Sequence, residues 1–142
     1  MKYDTILRSG RAGLFAAPRL AGPLRTAAKR AGIPWFDLDL SGVRDKNGFL
    51  KRCAQVFDLP GYFGGNWDAW HEALRDLAGE GAPGAVVHWR NGGELARRAP
   101  ESVLTALEIL QDAALHWEST GRTFVVVIDR DSAPGGGLTA LR

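Results

Sequence analysis

Residues 124–128 read Phe124-Val125-Val126-Val127-Ile128, five apolar side chains in a row. Successive side chains of a strand point to opposite faces, so an unbroken apolar run describes a strand covered on both sides. Strands of that kind belong to parallel sheets with helices packed against them. Upstream of this run the periodicity changes from two to 3.6. Val103, Ala106, Leu107, Leu110, Ala113, Ala114 and Trp117 form the inner stripe of a long helix that begins near Pro100 and stops at Gly121. Before it come a short helical turn at 94–98 and a second strand at 85–89. Residues 35–40 alternate, with Phe36, Leu38 and Leu40 on one face and Trp35, Asp37 and Asp39 on the other, the pattern of a half-exposed strand. Strands separated by helical stretches imply an α/β fold with a parallel sheet.

Two helices fill the interval between residues 40 and 85. Asp45 is placed to cap the first, whose apolar stripe is Phe49, Leu50, Cys53, Val56 and Phe57. The second follows the glycine-rich turn Gly61-Tyr62-Phe63-Gly64-Gly65, with Asn66 as its N-cap, and runs to about residue 78. Trp67, Trp70, Ala73, Leu74 and Leu77 make its inner stripe. Asp68, Glu72 and Asp76 recur every four residues on its outer side, so three carboxylates line up along one face. In the first 32 residues, short apolar pieces are broken by Pro18, Pro23 and several glycines. Only 24–31 reads as an element, a short basic helix stopped by Gly32-Ile33-Pro34.

A chain of 142 residues with 45% apolar side chains supports one domain with a sizeable core. The single cysteine, Cys53, allows no internal disulfide, which fits a reducing compartment and a cytoplasmic location. No stretch has the length of a secretory or membrane-spanning segment. The net charge is +2, but its distribution is uneven. Six bases and no acid lie between Arg8 and Arg30, whereas five acids (Asp58, Asp68, Glu72, Asp76 and Glu80) lie between Asp58 and Glu80 with Arg75 as the one Lys or Arg. A basic lobe precedes an acidic one.

Several kinds of chemistry can be weighed on these residues. Asp37-Leu38-Asp39-Leu40-Ser41 resembles the paired aspartates of haloacid-dehalogenase-like phosphotransferases, but strand alternation alone places two polar residues two apart, and the further lysine and acidic motifs are missing. Cys53 lies on an apolar stripe, as a packing residue does, and His71, His88 and His116 have no metal-ligand spacing. Glycines 61, 64 and 65 precede a helix N-terminus, yet no P-loop lysine follows and Asp68 already occupies the first turn. The basic residues near the N-terminus offer a nucleic-acid-binding or regulatory alternative, with Phe15 as a stacking side chain. Six bases over about twenty-three positions are nevertheless dilute for a phosphate-binding patch.

The stretch Leu59-Pro60-Gly61-Tyr62-Phe63-Gly64-Gly65-Asn66-Trp67-Asp68-Ala69 resembles the Leu-Pro-x-Tyr-aromatic-Gly-x-Asn-x-Asp-Ala signature of the barstar family, intracellular inhibitors of secreted bacterial ribonucleases. The likeness extends through Trp89-Arg90, Glu101-Ser102-Val103-Leu104 and 124–128, and covers roughly 35–129. It implies a three-stranded parallel sheet packed with helices over 34–130. A basic N-terminal extension over 1–33 would pack on this domain, and a loose Gly-rich tail would occupy 131–142.

The resemblance implies a protein inhibitor with no catalytic activity and no cofactor or metal. Its partner would be a secreted-type bacterial ribonuclease with a basic active-site cleft. The chain would be a monomer when free, with no membrane contact and no direct nucleic-acid contact. The partner-binding residues carried over are Tyr62, Asp68, His71, Glu72 and Asp76. Glu72 stands where the family has its key second aspartate, and His71 where barstar itself has tryptophan. The family's further contact acids lie on its last helix, where Glu108, Asp112 and Glu118 are the candidates here.

Overall fold

Strand β4 (Thr123–Ile128) is buried at every position, and the rest of the fold is arranged to bury it. In the computed structural model, which describes residues 2–59, 65–77, 79, 81–132 and 137–142, β4 lies between β1 (Ala12–Ala16) and β3 (Gly84–Arg90), with β2 (Trp35–Asp39) on the outer edge of β3. All the pairings are parallel. Val125 stands between Gly13 and Val86, and Val126 between Leu14 and Val87.

The strand order β1-β4-β3-β2 dictates where the helices go. The chain steps one way across the sheet from β2 to β3 to β4, and the opposite way from β1 to β2. Right-handed crossovers therefore place the connections of these two groups on opposite faces. On one face, helices α3 (Lys46–Val56), α4 (Trp67–Arg75), α5 (Gly93–Arg98) and α6 (Pro100–Ser119) enclose a core containing Phe49, Leu50, Trp70, Trp89, Trp117, Phe124 and Val126. On the other, α1 (Lys2–Arg8) and α2 (Gly22–Arg30) bury Leu7, Leu24, Ala27 and Ala28 against Val86, Val125 and Val127. Alternate side chains of β4 thus enter different cores.

The local signals act as their chemistry requires. The Asp45 carboxylate accepts from the Gly48 N–H at 2.8 Å and caps α3, and the Asn66 side chain accepts from the Ala69 N–H at 2.8 Å and caps α4. Pro100 occupies the first turn of α6, where its missing N–H costs nothing. Gly84 is fixed by packing, since a Cβ there would run into the Thr123 carbonyl of the neighbouring strand.

Three expectations from the sequence are corrected. Among the described residues the sheet has four strands rather than three, because residues 12–16 of the N-terminal stretch form β1 against β4. Ala-Gly-Leu-Phe-Ala has little strand character of its own, and tertiary pairing supplies what propensity does not. The C-terminal end is also not loose. The Ala16 N–H donates to the Thr139 carbonyl at 2.8 Å, Ala140 bridges to Ala16, and Leu141 is buried in the second core. Helix α4 ends at Arg75, with Asp76 as its C-cap, so the last acid lies at the helix end. The glycine-rich turn with Tyr62 lies outside the described residues. Among those residues no helix is long and apolar enough to cross a membrane.

A chain beginning at Ile33 would lose β1, α1 and α2 together and expose Val125, Val127 and Val86. Such a truncation is expected to lose cooperative urea unfolding and to bind a hydrophobic dye. A sharp, parent-like transition would show that the second core is dispensable.

Candidate functional site

Helix α4 is anchored by aromatic side chains of α3 and α6. The Phe49 ring of α3 lies 5.2 Å from Trp70, 5.9 Å from Trp67 and 5.3 Å from Trp89 of β3, centroid to centroid. On the α6 side, the buried Trp117 indole N–H donates to the Leu74 carbonyl at 2.9 Å, satisfying one of the helix-end carbonyls that have no partner within the helix. Trp70 and Leu74 are fully buried, so α4 can neither roll nor slide without breaking the core. Its outward residues are displayed on a rigid element.

Asp68, Glu72 and Asp76 are all exposed, and none makes an ion pair among the described residues. Asp68 in the first turn is favoured by the helix dipole, a sufficient structural reason for an acid there. Asp76 has no such reason: it caps the C-terminal end, where a negative charge opposes the dipole. Of the three last-helix acids, Asp112 is joined to α4, because the His71 Nε2–H donates to its carboxylate. The fold therefore joins His71 and Asp112 across the α4–α6 seam and leaves Asp68 and Glu72 exposed on α4, with Asp76 at its end. Glu108 and Glu118 are exposed on the same helix, and neither makes an ion pair with α4 among the described residues.

The carboxyl ends of the strands carry a second polar cluster. Arg90 clamps Asp37 with two hydrogen bonds, of 2.6 and 2.9 Å, and approaches Asp39 at 3.3 Å. The Asp39 carboxylate also accepts from the Asn91 side chain at 2.9 Å and from the Ser41 hydroxyl at 2.7 Å, while Arg52 donates to the Asp39 backbone carbonyl. The Arg90 hydrogen bonds hold the Asp37 carboxyl below its ordinary range. Those from Asn91 and Ser41 hold Asp39 far below it. Both aspartates are engaged as anions by partners within the fold, and neither stands as a proton donor near neutral pH. Nor is Cys53 an activated thiol. It is fully buried, and desolvation pushes its ionisation well up, while His71 and His88 face Asp112 and Asp129.

Residues 33–129 match the family model described as Barstar (barnase inhibitor). The chain belongs to the barstar family. No curated protein matches it. The matched span includes β2, α3, α4, β3, α5, α6 and β4, and leaves α1, β1, α2 and the C-terminal segment outside. The pairing of His71 with Asp112 was not legible in the sequence, because it depends on the register of two helices forty-one residues apart. The Arg90 clamp was hidden for the same reason, since alternation shows the face of an aspartate but not its cross-strand neighbour.

The clamp has a pH signature. Asp37 and Asp39 ionise at lower pH in the folded chain than the ordinary 3.8, so they contribute stability above that value, and it is lost as pH falls toward the folded values. The urea midpoint is therefore expected to drop as pH is lowered below about 4. An Asp39→Asn variant should be less stable at neutral pH and show a shallower acid slope. A slope equal to that of the parent would mean that the Asn91 and Ser41 bonds to Asp39 carry no net stability.

Proposed function

We propose that this protein is a stoichiometric inhibitor of a barnase-type ribonuclease and has no catalytic activity of its own. Helix α4 and the turn before it enter the nuclease cleft. The observation carrying this reading is the row of exposed carboxylates on α4, unpaired among the described residues, in a member of an inhibitor family. A ribonuclease must hold phosphates with arginine, lysine and histidine, and a rigid row of carboxylates can satisfy the same donors and keep RNA out. Opposite charge also speeds the encounter.

In this reading Asp68 and Glu72 stand in for phosphates, Asp76 assists at the rim, and Tyr62 is an aromatic anchor from the turn. Glutamate at 72 keeps the charge but carries it one methylene further out than the family's aspartate. His71 replaces a broad indole with a smaller, polar ring that is hydrogen-bonded to Asp112. Both changes alter which nuclease fits. An inhibitor of a secreted enzyme protects the cytoplasm of the producing cell, and a monomer presents α4 freely.

The test is a titration of the purified protein into small secreted bacterial ribonucleases while RNA cleavage is followed. Activity should fall to zero at one-to-one stoichiometry. Each of Asp68→Ala and Glu72→Ala removes a charge-assisted contact and should weaken inhibition by about tenfold to a hundredfold. Inhibition that is unchanged in the double variant would rule out phosphate mimicry by α4.

A further inference from the structure

On the sheet face opposite α4, a groove of about 490 Å³ runs between α2 and β2, lined by Gly22, Arg25, Thr26, Lys29, Ile33 and Trp35. No acid lines it. Arg25 and Lys29 lie one helical turn apart on α2, so they project to the same side. Both are exposed, and among the described residues neither makes an ion pair. The other bases nearby are occupied: Arg30 holds Asp4 at 3.0 Å, and Arg8 donates to the Arg30 carbonyl. Trp35 forms the aromatic wall, with the Arg25 guanidinium 5.5 Å from its ring centroid and the His88 ring edge-on at 5.9 Å.

We propose that this groove binds single-stranded RNA, with phosphates on Arg25 and Lys29 and a base stacked against Trp35 and the guanidinium beside it. Two cations without an ion pair among the described residues, next to an indole, are the elements from which sequence-tolerant single-strand binding is built, charge for the backbone and a flat face for the bases. An acidic peptide would satisfy the cations and leave the indole without a stacking partner. A duplex keeps its base faces inside the stack. A lipid surface calls for a row of exposed apolar side chains, and Leu20 is the large exposed one flanking α2. The site goes beyond the inhibitor reading and lies mostly outside the matched family region. It also reverses the expectation of no nucleic-acid contact: the basic residues are dilute along the chain, and folding sets two of them beside an aromatic residue from another element.

The test is fluorescence anisotropy of the full chain with a labelled oligouridylate of roughly 12 nucleotides, over about 50 to 200 mM salt. Affinity should fall log-linearly with salt. The Arg25→Ala, Lys29→Ala double variant should bind at least tenfold more weakly, with a slope shallower by about 1.4, roughly 0.7 for each phosphate no longer held. Trp35→Leu should keep the slope and weaken binding about fivefold to a hundredfold. An Arg44→Ala, Lys51→Ala double variant, which removes the same charge from the α3 side, should bind as the parent does. Circular dichroism checks that each variant is folded. The proposal is overturned by absence of binding, by an equal loss in the α3 control, by unchanged affinity in the α2 double variant, or by competition from polyglutamate as effective as that from unlabelled RNA.

Discussion

The constraint on which this architecture depends is the burial of β4 on both faces. A strand reading Phe-Val-Val-Val-Ile has no polar side to offer water, so two separate helical layers must cover it. Phe124, Val126 and Ile128 enter one core, and Val125 and Val127 the other. The segment matching the family supplies the first layer. The second is made by residues before and after it, with α1 and α2 from the N-terminal side and Leu141 from the C-terminal end. The N-terminal stretch is for that reason part of how the sheet is buried.

The same arrangement decides where a partner can be met. Parallel sheets usually place their functional groups in the crevice beyond the carboxyl ends of the strands. Here that edge at β2 and β3 is filled by Asp37, Asp39, Arg90 and Asn91, whose charges and hydrogen bonds are turned on one another. Hydrogen-bonded to one another, these groups stabilise the strand ends. The free charge lies instead on the helix surfaces, where α4 carries carboxylates that no base neutralises among the described residues.

Elements with strong periodicity were legible in the sequence. The strand at 124–128, the helix from Pro100 and the caps at Asp45 and Asn66 appear where hydrophobic spacing and cap chemistry place them. β1 was not legible, since two alanines and a glycine in five residues give no alternation and the strand exists because β4 needs a neighbour. The end of α4 was overestimated because Leu77 continues the apolar stripe and is buried although the helix has already stopped. The row of acids on α4 could be seen from spacing alone. The bond from His71 to Asp112 could not, because pairing across a seam depends on how two helices settle on a sheet.

The separation of charge has a physical logic that neither half of the sequence reveals by itself. Acids on α4 and α6 and bases on α2 lie on opposite sides of a sheet whose interior is apolar, so the two sets are kept apart by both distance and fold. Where acid and base do meet in this fold, as Arg90 does with Asp37 and Asp39, they pair with each other. The right-handed crossovers that send α2 to the far side of the sheet thus also set its bases away from the carboxylates of α4. In this chain, the strand order that buries β4 on both faces also sets the carboxylates of α4 and the bases of α2 on opposite sides of the sheet.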